Sequence, residues 1–386
     1  MDFKKEILNL KAKDQFRVLN NLLHTNENYV VFNGKKCLNL SSNDYLGISQ
    51  NQKLLKQFFE SINFSKSNLL GSASSRLLSG NYNEYFELET LIAKLYEKES
   101  ALVYNSGYHA NTGILPALTT KNDLILSDKL NHASIVDGLK LSEAKNIRYK
   151  HLDYSQIELY LEKNRNNFEN VFIVSESVFS MDGDIADLQQ LIKIKNKFNC
   201  ILYIDEAHAF GVFGKTGLGI SEISGNIKDI DIIVGTFGKA IASVGAFVTL
   251  SKYLKEVLVN KSRTLIYTTG LPLINILWTK FILEQIVNFK NERENLQNLS
   301  EQLKRELINN KLVTLGASQI VPVIIGQNEL TLKVSEELLN NGFYVSAVRP
   351  PTVPINTSRL RLSLNSQLNF RQLKIVVKII AQKMKK

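Results

Sequence analysis

Between residues 100 and 250, short apolar runs alternate with longer amphipathic stretches. The runs cover 101–104, 124–126, 171–174, 201–204, 232–234 and 246–250. Apart from Thr249, each is continuously apolar over a length that suits a strand covered on both faces. Strands separated by helix-length segments predict a mainly parallel sheet wrapped by helices. Ligands of such sheets gather beyond the carboxyl ends of the strands, so the residues just after each run carry the interest.

Two of those residues stand out. Asp205 closes the run 201–204, and Lys239 follows the run 232–234 among Gly235, Gly238, Ala240 and Ala242. A lysine fits a packed interior poorly unless its amine has a task. One such task is a Schiff base with an aldehyde cofactor, and a carboxylate at a strand end suits the pyridinium nitrogen of pyridoxal phosphate. Taken singly, the lysine reads as a surface residue and the aspartate as a helix or turn cap. After 101–104, Gly107-Tyr108 opens a helix, where backbone N–H groups and the dipole suit a phosphate. A helical turn starting at Thr236 would put its hydroxyl and the Lys239 amine on one side.

Asp205-Glu206-Ala207-His208, Gly211-Val212-Phe213-Gly214, Gly217, Gly219 and Thr236-Phe237-Gly238-Lys239 form an ordered set. With Ser41-Ser42-Asn43-Asp44-Tyr45-Leu46-Gly47 and Arg349-Pro350-Pro351-Thr352-Val353-Pro354, they resemble the α-oxoamine synthases. These pyridoxal-phosphate enzymes condense an amino acid with an acyl thioester. The resemblance spans nearly the whole chain. It implies an α/β fold-type-I pyridoxal-phosphate transferase, with a mainly parallel seven-stranded sheet flanked by helices and a small C-terminal α/β domain. The expected parts are an N-terminal segment over 1–45, a large domain over 46–275 and a small domain over 276–386.

The same resemblance implies roles. Lys239 would carry the cofactor, Asp205 its ring nitrogen, His132 the ring face and proton handling, and His208 the phenolic oxygen. Gly107 and Tyr108 would hold the phosphate, Thr236 would contact the phosphate or the ring, and Ser180 would lie near the cofactor. Thr268 and Thr269 would reach the phosphate of a neighbouring subunit in a homodimer. Arg17 would meet the acyl substrate, Asn43 and His132 would lie beside the substrate, and Arg361 would hold the amino-acid carboxylate. Thr352 belongs to the proline-rich loop, also on the substrate side. That loop, with Thr357, Arg359, Leu360 and Arg361, points within the family to L-alanine and a pimeloyl thioester, carried by coenzyme A or an acyl carrier protein. Sibling enzymes use glycine with acetyl or succinyl thioesters.

The rest of the chain sets bounds. At 386 residues it has room for two domains, and 44% apolar with 22% charged residues is a globular composition. The net charge of +10 raises polyanion binding, but the lysines are scattered, with the densest cluster at Lys383-Met384-Lys385-Lys386. A basic surface also suits an acidic small substrate. Cys37 and Cys200 alone allow neither a disulfide framework nor a zinc site, which fits a reducing cytoplasm. Met1-Asp2-Phe3-Lys4-Lys5-Glu6 lacks a signal-peptide core, and no apolar run approaches the roughly 18 residues of a membrane span. No metal, nucleic acid or membrane is expected.

Helices are expected over 84–98, 271–293, 329–340 and 370–386, and a strand over 344–347. The alternation at 359–364 predicts a half-exposed strand, with Leu360, Leu362 and Leu364 inward.

Overall fold

The structure is a computed structural model that describes residues 2–25, 28–62, 69–225 and 227–385. Met1 and Lys386, the outer ends of the expected terminal segments, lie outside the described residues. In chain order the strands begin with β1 Leu23–His24, β2 Tyr29–Phe32, β3 Lys35–Asn39, β4 Ser100–Tyr104, β5 Leu124–Asp128, β6 Lys145–Tyr149 and β7 Val171–Glu176. They continue with β8 Ile201–Asp205, β9 Ile232–Thr236, β10 Ala246–Leu250, β11 Ile320–Gly326, β12 Phe343–Tyr344, β13 Ser346–Val348 and β14 Ser358–Ser363.

The chain forms two compact units, one of residues 51–179 and 185–293, the other of residues 1–50, 180–184 and 294–386. This division differs from the expected borders at 45 and 275. The N-terminal segment belongs with the C-terminal part because β3 pairs in parallel with β12.

The larger unit holds a seven-stranded sheet in the order β4-β10-β9-β8-β7-β5-β6. The six apolar runs are six of its strands. The seventh, β6, reads Lys-Asn-Ile-Arg-Tyr and is mostly exposed, as an edge strand is. All pairings are parallel except those of β10, which runs antiparallel to both β4 and β9. An antiparallel pair needs no crossover helix. The chain therefore turns from β9 into β10 through a tight loop, and Lys239 sits on that loop. Gly245 closes it at φ +110, where a Cβ would stand 2.8 Å from Leu271 Cδ1. Helix Gly107–Leu118 packs Ile114 and Leu115 against Leu102, Val174 and Val234 of the sheet. Both side chains are fully buried; truncating either to alanine costs about 2–5 kcal/mol.

The smaller unit has a four-stranded sheet, β1-β2-β3-β12, and a three-stranded one, β11-β14-β13. The expected strand 344–347 is two strands, β12 and β13, which belong to different sheets. β14 is buried along its whole length, not half-exposed. Its polar face is covered from within the same unit: Arg359 pairs with Asp182, and Arg361 donates Nε–H to Ser180 O at 2.7 Å. Helix Phe370–Met384 buries Leu373, Val376, Val377, Ile380 and Ala381, one stripe at helical spacing. The expected helix over 271–293 is broken into Leu273–Leu283, a 3₁₀ turn at Ile286–Phe289 and the start of Lys290–Asn309.

Candidate active site

In the larger unit, β7, β8 and β9 end side by side. Glu176 and Asp205 are register partners across the first pair, and Asp205 pairs Val234 across the second. Their carboxyl ends line a cavity of about 190 Å³ with Gly107, Tyr108, Asn111, His132, Ser134, Ala207, His208, Thr236 and Lys239. Seven of the residues expected from the sequence are thus brought together around one hollow: Gly107, Tyr108, His132, Asp205, His208, Thr236 and Lys239; Thr268 is outside the lining. Asn105, just before the helix opening at Gly107, donates Nδ2–H to Thr268 Oγ1 at 3.2 Å and to Thr269 O at 2.6 Å. Thr269 itself is exposed and outside the cavity lining.

Lys239 Nζ lies 2.8 Å from His208 Nε2 and is half-buried. No helical turn begins at Thr236: that residue ends β9 and Lys239 follows in the loop. Thr236 Oγ1 donates to Gly245 O at 3.1 Å and accepts Gly238 N–H at 3.2 Å, which pins the loop's two ends together. Asp205 is nearly fully buried, and each oxygen has one donor: Asn111 Nδ2 on Oδ2 and Ala207 N–H on Oδ1, both at 2.8 Å. Each oxygen keeps acceptor capacity toward the cavity. Burial pushes the His132 imidazole below its ordinary pKa, against the pull of Asp205, and the Lys239 charge adds to the lowering.

Sequence reasoning missed Glu176 and Asn111 as site residues. Glu176 Oε1 accepts the His132 N–H at 2.5 Å, which seats the histidine on the end of β7. Burial first, and then the Asp205 charge, push the Glu176 carboxyl well above its ordinary range. The available signal was position: Glu176 ends β7 as Asp205 ends β8.

A larger cavity, about 360 Å³, lies at the opposite, amino ends of β7 and β8. Its Arg165 is spent on the carbonyls of Phe198, Phe168 and Asn199, and Lys195 on Asp231 and Asp229 O. Among the described residues no group of His, Cys, Asp and Glu could hold a metal ion, and no helix is long and apolar enough to cross a membrane.

The remaining expected residues, Arg17, Asn43, Ser180, Thr352 and Arg361, all fall in the smaller unit. There Arg361 Nη1 reaches Asn43 Oδ1 at 3.3 Å, and Arg17 Nη2 donates to Thr352 Oγ1 at 2.7 Å. Arg17 and Thr352 line a cavity of about 730 Å³ with Phe16, Tyr344 and Arg349. Ser180 takes part through its carbonyl, not its hydroxyl.

The larger unit's cavity fits pyridoxal phosphate. A Cβ built on Gly107 would meet nothing nearer than Thr236 Cβ at 3.8 Å, so the space above the first helical turn is open. Of the N–H groups of that turn, which have no intrahelical acceptor, His109 N–H is capped by Ser106 Oγ at 3.1 Å, and a phosphate there would take those of Gly107 and Tyr108. Around it the chain offers a carboxylate at Asp205, an imidazole at His132 and an amine at Lys239, a set whose chemistry suits a pyridinium aldehyde.

Residues 35–380 match the family model for aminotransferase class I and II. The chain belongs to that family and is a pyridoxal-phosphate enzyme of fold type I. Among its relatives is a protein of Haemophilus influenzae (strain 86-028NP), 49% identical over 375 residues, 96% of this chain and 98% of its own. Another, from Neisseria gonorrhoeae (strain NCCP11945), is 48% identical over 369 residues, 95% of this chain and 96% of its own. Both carry the name "Putative 8-amino-7-oxononanoate synthase". Similar solved structures include Sphingomonas wittichii serine palmitoyltransferase, with TM-score 0.87, 27% identity and coverage of 99% of this chain and 96% of the other. An 8-amino-7-oxononanoate synthase from Francisella tularensis matches with TM-score 0.75 and 31% identity, over 90% of this chain and 98% of its own.

Proposed function

We propose that this enzyme joins L-alanine to a pimeloyl thioester with loss of carbon dioxide, the 8-amino-7-oxononanoate synthase reaction of biotin biosynthesis. The observation that carries this reading is near-half identity, along almost the full length, to synthases of that name.

When bound, pyridoxal phosphate supplies an electron sink for charge that develops at the amino acid's α-carbon. The chain's own residues do the rest. Lys239 Nζ takes the α-proton and later returns one, with His208 Nε2 beside it at 2.8 Å as hydrogen-bond partner. Asp205, held on both oxygens, keeps a proton on the ring nitrogen. His132 would cover the ring, and Gly107 and Tyr108 would hold the phosphate, joined by Thr236 once its hydroxyl turns from Gly245 O. Arg361, with Asn43, grips the amino-acid carboxylate until it leaves as carbon dioxide; the guanidinium fork suits that anion. Arg17 and Thr352 receive the acyl chain, whose carbonyl carbon bonds the α-carbon as the carrier thiol departs.

The proposal includes a homodimer in which Thr268 and Thr269 serve the cofactor phosphate of a second copy. It includes a cytoplasmic setting, supported by two buried cysteines that form no disulfide. Either coenzyme A or an acyl carrier protein would deliver the acyl group.

A thiol-release assay tests the reading. Purified protein is offered alanine or glycine with pimeloyl, acetyl or succinyl thioesters. Alanine with the pimeloyl thioester should give the fastest release. Faster release from glycine with a short acyl group would reject it in favour of a sibling synthase.

A further inference from the structure

His132 is held at a ring nitrogen by groups whose hydrogens can be traced. Its Nδ1 accepts the Ser134 N–H at 3.2 Å, and a backbone N–H can only donate. Ser134 Oγ lies 2.8 Å from the same nitrogen. Because Nδ1 accepts the backbone N–H and so carries no hydrogen of its own, the hydroxyl is the donor in that contact, while its oxygen accepts Asn111 Nδ2–H at 2.9 Å. The Asn111 amide cannot be flipped, because the carboxylate oxygen Asp205 Oδ2, 2.8 Å from Nδ2, only accepts and would face a second acceptor; in this orientation Tyr203 O–H donates to Asn111 Oδ1 at 2.5 Å. The second Nδ2 hydrogen goes to Asp205 Oδ2 at 2.8 Å. Tyr203, Asn111 and Ser134 are all buried, so water does not compete for these bonds.

We propose that Tyr203, Asn111 and Ser134 form a hydrogen-bond relay that holds His132 as the neutral tautomer with its hydrogen on Nε2 and, through the same amide, fixes the orientation of Asp205. The charged and titratable groups facing His132 are Asp205, Lys239, Asp137 and Glu176. A neutral imidazole leaves the Asp205 charge uncompensated and directed at the cofactor's ring nitrogen. This last step rests on the reading of the cavity as a pyridoxal-phosphate site. Asn111, Ser134 and Tyr203 act as positioning residues.

The test is nitrogen-15 NMR of the full chain with labelled histidine, prepared without cofactor. Five histidines make the spectrum tractable, and His132→Asn assigns the signal. From about pH 6 to about pH 8, where an ordinary histidine titrates, His132 should show a bare Nδ1 and a protonated Nε2. Ser134→Ala should shift the tautomer ratio roughly tenfold toward Nδ1–H, the effect of one lost hydrogen bond, and Ser134→Thr should restore it. Asn111→Ala should weaken pyridoxal-phosphate binding, read by equilibrium dialysis, roughly tenfold. A wild-type His132 protonated on Nδ1 overturns the proposal, whatever the variants do. So does a loss of melting temperature in Ser134→Ala with the tautomer ratio unchanged. These nitrogen shifts are read without substrate, so failure of the alanine and pimeloyl assignment would leave them standing.

Discussion

Lys239 and Asp205 were legible in the sequence because each closes or follows an apolar run. A charged group at the end of a buried strand asks for an explanation. Glu176 escaped because the run 171–174 seemed to end at Val174, whereas the strand continues through buried Ser175 to Glu176. No apolar pattern marks a strand end whose last residues are polar and internally satisfied. Asn111 escaped because it lies inside a helix, where only the fold reveals what a side chain meets.

Glu176 also gives a pH dependence. Its folded carboxyl titrates well above the ordinary 4.5, from burial and then the Asp205 charge. Above 4.5 the folded cofactor-free protein therefore binds more protons than the unfolded chain, so this group's stabilisation is lost as pH rises toward its folded value. Glu176→Gln keeps an Oε1 acceptor for the His132 N–H and has no charge to bury. Its melting temperature relative to wild type should climb by a few degrees between about pH 5 and about pH 8. Parallel melting curves would show that Glu176 carries no such burden. His132 works in the other sense: with its folded pKa below 6.5, stability falls as pH drops through 6.5.

At the level of elements, the sequence displayed the buried strands and hid the edge. β6 carries Lys145, Asn146 and Arg148 outward and has no apolar run. β14 misled in the opposite way: its arginines suggested solvent, yet the 180–184 segment covers them. That segment is held by Gly183, at φ +71, whose added Cβ would strike Ile320 O, and by Ala317 N–H donating to Gly183 O at 2.9 Å. A backbone atom cannot step aside as a side chain can. Gly183→Ala should cost about 2–4 kcal/mol in urea unfolding. Because Ser180 O orients Arg361, the variant should raise KM for alanine while leaving pyridoxal-phosphate binding near wild type. An unchanged KM would remove Arg361 from amino-acid recognition.

On the scale of the whole molecule, the sequence suggested the sheet class but not the partition. Nothing local announces that residues 1–50 join 294–386, since the parallel pairing of β3 with β12 links residues about 300 positions apart. A fragment of residues 294–386 should therefore not fold alone, because three of the four strands of one sheet lie in the N-terminal segment. Its amide NMR spectrum should be poorly dispersed; a well-dispersed spectrum would make the C-terminal part autonomous.

The fold, the cavity and the proposed chemistry meet at one amine. Borohydride reduction of the protein loaded with pyridoxal phosphate, followed by peptide mapping, reads it directly. The pyridoxyl group should be found on Lys239, and Lys239→Ala should carry none. A label on any other lysine, or no stable label on the wild-type chain, would contradict the account.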